Sequence, residues 1–242
     1  RLLGVSLTGQ FGNQLMSGKN GEEELTNTLI TLREIAINTN ASEAEKIGIN
    51  PSAAITCVKP SGTVSQLTGV SSGMHPWHSQ HYIRTVRGDK KDPLTRFLTE
   101  SGVPVEDDVM KPNDTSVFSF PIKAPEGAVL RDDLSAIEHL NIWLVYQRHW
   151  CEHKPSITVS VKEHEWMEVG AWVWKHFDEV SGISFLPHSE HSYRQAPYQE
   201  ISEETYDQAV KNFPDNITWE MLTFYEVEDS TTGTQDLACA AG

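Results

Sequence analysis

Residues Ser52–Ser65 read SAAITCVKPSGTVS. The opening part, Ser52–Val58, is short, largely apolar and partly β-branched, and it stops at Lys59, Pro60, Ser61 and Gly62. That pattern predicts a buried strand running into a tight loop. The stretches on either side set the fold class. Upstream, Leu25, Leu29, Leu32 and Ile35 recur at spacings of three and four, with Glu22, Glu23 and Glu24 where a helix dipole favours anions, so residues 22–40 predict an amphipathic helix. A second helical piece is expected over Ser42–Ile47, where Ser42 and Glu45 have capping-box spacing and Gly48 and Pro51 follow.

Downstream, Thr115–Ile122 (TSVFSFPI), Ser156–Val161 (SITVSV) and Gly182–Leu186 (GISFL) predict strands. Helices are expected over residues 132–152, striped by Leu134, Ile137, Leu140 and Leu144, and over 162–180, with Trp166, Val169, Val173 and Phe177 on one side. Strands alternating with helices imply an α/β architecture with mainly parallel pairing. Trp143, Trp150, Trp166, Trp172 and Trp174 are expected to pack the helices.

The 242 residues carry 19 Lys and Arg against 34 Asp and Glu, a formal charge of −15. That balance opposes non-specific attraction to nucleic acid or an anionic membrane surface, so neither is an expected partner. No apolar run approaches the ~20 residues of a spanning helix. Cys57, Cys151 and Cys239 are too few and too scattered for a secreted disulfide scaffold, and a soluble protein of a reducing cytoplasm is expected. Arg1 sits inside the apolar stretch Leu2, Leu3, Val5, Leu7, as expected for a fragment of a longer chain.

An acidic protein still holds a small anion where backbone N–H groups converge. Pro60–Ser65 offers such a place: Pro60 stiffens the entry, Gly62 lets the backbone approach, Ser61, Thr63 and Ser65 bring hydroxyls, and Val64 adds a backbone N–H. The string lacks the G-x-x-x-x-G-K-[ST] order of a Walker loop. The alternative is an ordinary strand-to-helix turn whose Ser and Thr cap the helix. Elsewhere, His149, Cys151 and His153 invite a metal, but Cys151 points off the shared helical face, and a helix-end role for the histidines is preferred; no metal site is expected. His75, His78 and His81 are read as packing or hydrogen-bonding groups, with a ligand contact as the other option. Arg84 and Arg87 are read as partners of carboxylates rather than of a phosphate.

Thr56–Pro76 (TCVKPSGTVSQLTGVSSGMHP), followed by His81–Arg87 (HYIRTVR), resembles the C-terminal half of the catalytic barrel of ribonucleotide reductases, most of all the adenosylcobalamin-dependent, monomeric triphosphate reductases. Arg1–Gly9 (RLLGVSLTG) and Arg194–Ile201 (RQAPYQEI) are similar to further segments of that barrel. The resemblance implies half of a ten-stranded α/β barrel over residues 1–226. In it, Pro60, Ser61, Gly62, Thr63, Val64 and Ser65 grip the substrate's phosphates while a thiyl radical abstracts the ribose 3'-hydrogen. It also implies adenosylcobalamin as cofactor and a ribonucleoside triphosphate as substrate.

The family's radical cysteine lies in an Asn-x-Cys-x-Glu context that does not occur in these residues, so no catalytic residue is assigned here. The missing N-terminal part of the same enzyme is expected to supply it, and the isolated chain is expected not to turn over. Residues 227–242 are polar and expected to be flexible. The resemblance makes Cys239 the first of two tail cysteines that exchange electrons with a thioredoxin-type reductant. The alternatives are a diphosphate-reducing relative and a non-catalytic module that keeps only the loop.

Overall fold

The computed structural model describes residues 2–188 and 193–226, and the tail assigned to Cys239 lies outside them. In chain order the elements are β1 (Leu2–Ser6), α1 (Glu22–Lys46), β2 (Ala54–Cys57), α2 (Val64–Leu67), β3 (His81–Asp89), α3 (Pro93–Glu100) and β4 (Val105–Asp107). They continue with β5 (Thr115–Lys123), α4 (Ala136–His149), β6 (Thr158–Val161), α5 (Trp166–Lys175), β7 (Ser184–Pro187), β8 (Tyr198–Glu200) and α6 (Glu203–Asn212). The described residues divide into two compact units, residues 2–77 with 125–188 and residues 78–124 with 193–226.

In the first unit β1 pairs with β2 and β6 with β7, both parallel, and a parallel bridge from Val58 to Pro155 links the two ribbons. The two ribbons therefore point the same way, with β6 and β7 beginning beyond the end of β2. Val58, Val159 and Val161 point into one core with Leu25 and Leu29 of α1, Leu140 and Trp143 of α4, and Val169 and Trp172 of α5. Residues alternate faces along a strand, so Thr158, Ser160, Ser184 and Leu186 belong to the opposite face. Leu186 is exposed there, and Leu2, Leu3 and Val5 are exposed along β1. No closed barrel forms among the described residues.

Local chemistry sets the helix ends. Ser135 caps α4: its Oγ accepts from Glu138 N at 3.2 Å while Glu138 Oε2 accepts from Ser135 N at 2.8 Å. The helix thus starts at Ala136, four residues later than the apolar stripe predicts. Likewise, residues 163–165 form a 3₁₀ turn ahead of α5. The two helical pieces expected over 22–47 are one continuous helix. Asn40 does not end it, because its Oδ1 accepts from Ser52 N at 2.8 Å and ties the helix to the loop before β2. The helix stops where Gly48 turns left-handed and Ile49 N donates to Ala44 O at 2.9 Å.

The second unit departs from the parallel expectation. Its sheet, in the order β4-β5-β3-β8, is antiparallel throughout, with His81 opposite Lys123 and Asp89 opposite Thr115 in β3–β5. Arg87 is its electrostatic centre, as the carboxylate-partner reading expects. Its Nε donates to Asp108 Oδ2 at 2.8 Å and its Nη2 to Gln195 O at 3.1 Å. The buried Asp108 also accepts from Met110 N and Lys111 N through Oδ1. Arg84 instead lies over the ring of Tyr198, 5.5 Å from its centroid.

Hydrogen bonding to Arg87, more than any other influence, holds the Asp108 carboxyl below its ordinary value. A depressed folded value contributes stability above the unfolded-chain value of about 3.9, and that contribution is lost as pH falls through the folded value. Asp108→Asn is expected to cost about 1–3 kcal/mol at pH 7, the scale of a hydrogen bond to a charged group. The gap to wild type should stay constant above pH 5 and narrow below about 4; urea melts at a series of pH values measure it, and a pH-independent gap contradicts this role.

Candidate functional site

The loop after β2 is assembled from three separate segments of the first unit. β1 leads into Thr8 and Gly9, β2 into Lys59–Thr63, and the third segment is Val70–Gly73. Lys59 N donates to Ser6 Oγ at 2.9 Å, which starts the loop beside β1. The hydroxyls of Thr8 and Ser61 are hydrogen-bonded to each other. Gly73 N donates to both, at 2.9 Å to Thr8 Oγ1 and 3.0 Å to Ser61 Oγ. Gly73 has φ +46°, and a Cβ there would stand 3.1 Å from Lys59 O. Gly9, at φ +79°, is pressed so close to Val70 that a Cβ would come within 2.8 Å of it. Both glycines are thus required by backbone conformation and close approach.

Between these anchors the backbone is open. Ser65 N donates to Ser61 O at 2.9 Å and begins α2, but the N–H groups of Gly62, Thr63 and Val64 donate to no acceptor among the described residues. Gly62 is exposed and a Cβ there would meet nothing within 4 Å. Nothing inside the fold therefore demands a glycine at this position. Thr63 precedes α2 without a side-chain cap bond, which removes the helix-capping alternative for its hydroxyl. Ser65 turns inward instead: it is completely buried, and its Oγ has no partner among the described residues. Ser71 Oγ and Gln10 Oε1 are buried and unpartnered in the same way.

Of the sequence-assigned residues, Ser61, Gly62, Thr63 and Val64 stand together on the open side, Pro60 is exposed at the entry, and Ser65 lies beneath. Thr8 and Gly73, which hold Ser61 in place, escaped sequence reasoning. Their only signal is the glycine and hydroxyl content of Leu7–Gly9 and Val70–Gly73.

The stretch around Cys151 has a structural task. Trp150 Nε1 donates to Cys57 O at 2.8 Å, Glu152 N and His153 N both donate to Thr56 O at 3.0 Å, and Glu152 Oε2 accepts from Ile55 N at 2.9 Å. This turn fills the edge of β2 where a neighbouring strand's groups belong. Cys57 and Cys151 are free and buried. Burial first, then the neighbouring Cys57, pushes the Cys151 thiol up to about 12, far from the thiolate that redox exchange uses.

His75 and His139 are also committed. Thr158 N donates to His75 Nε2 at 3.1 Å while His75 Nδ1 meets Ser72 O at 2.7 Å, and burial holds this ring neutral by lowering its pKa. Burial lowers His139 to about 4, so it too is neutral, with Nε2 donating to Met74 O at 2.7 Å. His78 and His81 belong to the second unit, where His78 stacks on Tyr198 and His81 packs against Tyr206.

Parallel strand ribbons backed by helices, and a hydroxyl-anchored loop offering unbonded N–H groups at the carboxyl end of β2, define an α/β protein whose loop suits an anion. Comparison with solved structures finds the same architecture in a B12-dependent, class II ribonucleotide reductase. The TM-score is 0.75 at 27% identity, over 85% of this chain and 29% of that one. The chain is a relative of the class II ribonucleotide reductases.

Within that class, its curated relatives are adenosylcobalamin-dependent ribonucleoside-triphosphate reductases. That of Levilactobacillus brevis is 31% identical over 185 residues, 75% of this chain and 25% of its own length. That of Lactobacillus gasseri is 28% identical over 243 residues, 90% of this chain and 32% of its own. That of Euglena gracilis is 29% identical over 177 residues, 72% of this chain and 24% of its own. The chain therefore spans about a quarter to a third of these relatives. No family model matches it.

Among the described residues no group of three or more His, Cys, Asp and Glu side chains is placed to hold a metal ion, and His75 and His139 are both committed to hydrogen bonds within the fold. No helix among the described residues is long and apolar enough to cross a membrane.

Proposed function

We propose that this chain is the C-terminal part of the catalytic barrel of an adenosylcobalamin-dependent ribonucleoside-triphosphate reductase, and that Pro60–Ser65 receives the phosphates of the substrate. The observation that carries the proposal is the set of N–H groups on Gly62, Thr63 and Val64, unbonded within the fold and presented at the carboxyl edge of parallel strands. Donors fixed before the ligand arrives cost little to reorganise and hold a polyanion in an otherwise acidic protein. Thr63 Oγ1 adds a side-chain donor, and Ser61 sets the loop's position through Thr8 and Gly73.

The open strand face and the exposed Leu2, Leu3 and Val5 of β1 suit continuation of the barrel by strands from the rest of the enzyme, since parallel strands are normally covered on both faces. In this reading residues 1–226 belong to the barrel and residues 227–242 form the redox tail, with Cys239 passing electrons from a thioredoxin-type reductant. A thiyl radical on a cysteine elsewhere in the enzyme abstracts the ribose 3'-hydrogen, and this chain's task is to bind and orient the nucleotide in the cytoplasm.

Gly62→Ala separates ligand contact from folding. Its Cβ enters open space, so the melting curve should match wild type, while ATP or CTP affinity should drop about tenfold or more as the methyl group blocks the approach to the N–H groups. Calorimetric titration reads the affinity; an unchanged value overturns the loop assignment.

A further inference from the structure

A second polar group stands on the same strand row. Ser160 of β6 and His188, the residue after β7, face each other with Oγ 3.2 Å from Nδ1. The other ring nitrogen, Nε2, is 3.6 Å from Asp132 Oδ1. His188 N donates to Val161 O at 2.7 Å, so the backbone prolongs the β6–β7 ladder and fixes where the imidazole begins. The His188 side chain is only 9% exposed. Val159 and Val161 fill the helix-covered core, so alternation turns Ser160 to the open face.

The roles of the three groups follow from their order. With Nε2–H directed at the Asp132 carboxylate, which also lies 3.4 Å from Arg131 Nε, Nδ1 is left as the acceptor of the Ser160 hydroxyl proton. Ser160 Oγ then presents its lone pairs outward, to a ligand that donates an O–H. Position narrows the ligand class. Val58, the residue after β2, is bridged to Pro155, three residues before β6, and β6 pairs with β7, so Ser160 and His188 stand on strands that run on from the point where the Pro60–Ser65 loop leaves β2. A nucleotide with its phosphates on Gly62–Val64 would direct its sugar along those strands.

We propose that Ser160, positioned by His188 and Asp132, accepts a hydrogen bond from a ribose hydroxyl of the bound nucleotide. The proposal rests on the loop reading above and adds the part of the site that recognises a ribonucleotide by its sugar. The test is calorimetric titration of the full chain with ATP, with its 2'-deoxy and 3'-deoxy analogues, and with inorganic tripolyphosphate, for wild type, Ser160→Ala and His188→Ala.

Both variants should weaken ATP about five- to tenfold, the scale of one lost hydrogen bond, and leave tripolyphosphate unchanged. Each should also erase the preference for ATP over the analogue lacking the contacted hydroxyl. Thermal melts matching wild type for Ser160→Ala keep the result from being a folding effect. Tripolyphosphate binding retained together with an unchanged sugar preference in both variants overturns this inference alone. Failure of wild type to bind either ATP or tripolyphosphate overturns it together with the loop reading.

Discussion

Trp143→Ala is expected to destabilise the first unit by about 3–5 kcal/mol, the usual cost of emptying a large aromatic site in a close-packed core. Trp143 is completely buried on α4, meets Trp172 of α5 edge to face at 6.3 Å between centroids, and donates from Nε1 to Pro155 O at 3.0 Å. Pro155 is the residue bridged to Val58, where β2 gives way to the Pro60–Ser65 loop. The indole thus supports the junction between the two parallel ribbons as well as filling volume. Trp143→Phe restores most of the volume but not the N–H, leaving Pro155 O without its buried donor, and is expected to cost about 1–3 kcal/mol. Urea unfolding of both variants measures the two contributions. Equal losses would mean that the hydrogen bond, and with it the support of the junction, contributes the whole effect.

What was legible in the sequence had a local cause. The strand before Lys59 shows in its own apolar run, the bend in Pro60 and Gly62, and the capping of α4 in Ser135 and Glu138. What was hidden depends on partners far along the chain. Asn40 looks like a helix breaker until Ser52 supplies a bond that keeps it within α1. Arg84 and Arg87 break the apolar alternation of His81–Asp89 and mask a strand that pairs along its whole length with β5. The bond between Thr8 and Ser61 spans 53 residues, and that between Gly73 and Thr8 spans 65. Within the loop, the residues that stand on its open side were identifiable from composition, whereas the residues that anchor it, Thr8 and Gly73, were not. Ser160 and His188 were hidden for the same reason, since 28 residues separate a strand serine from a histidine that only sheet pairing brings beside it.

Gly73→Ala is expected to weaken nucleotide binding more than the loss of any single loop hydroxyl, although Gly73 itself contributes no side chain. Three costs fall on one residue. Its backbone is left-handed at φ +46°, which opposes an L side chain by about 1–2 kcal/mol. The new Cβ would press on Lys59 O at 3.1 Å, on the strand end from which the loop departs. Movement away from Lys59 would draw the Gly73 N–H from Thr8 Oγ1 and Ser61 Oγ, the bonds that join the three segments. A displacement of that kind would re-aim the N–H groups of Gly62, Thr63 and Val64, and each charge-assisted bond to phosphate depends steeply on direction. The expected result is a stability loss of about 1–3 kcal/mol, set by the backbone strain and the buried groups left unpaired. ATP affinity should fall by about two orders of magnitude, as expected when more than one charged hydrogen bond is lost. Gly62→Ala gives the contrast: affinity falls there without loss of stability, because its methyl group meets ligand and not protein. Gly73→Ala that melts earlier but binds ATP as wild type would show that the three-segment clasp serves folding alone and that the loop holds its shape without it.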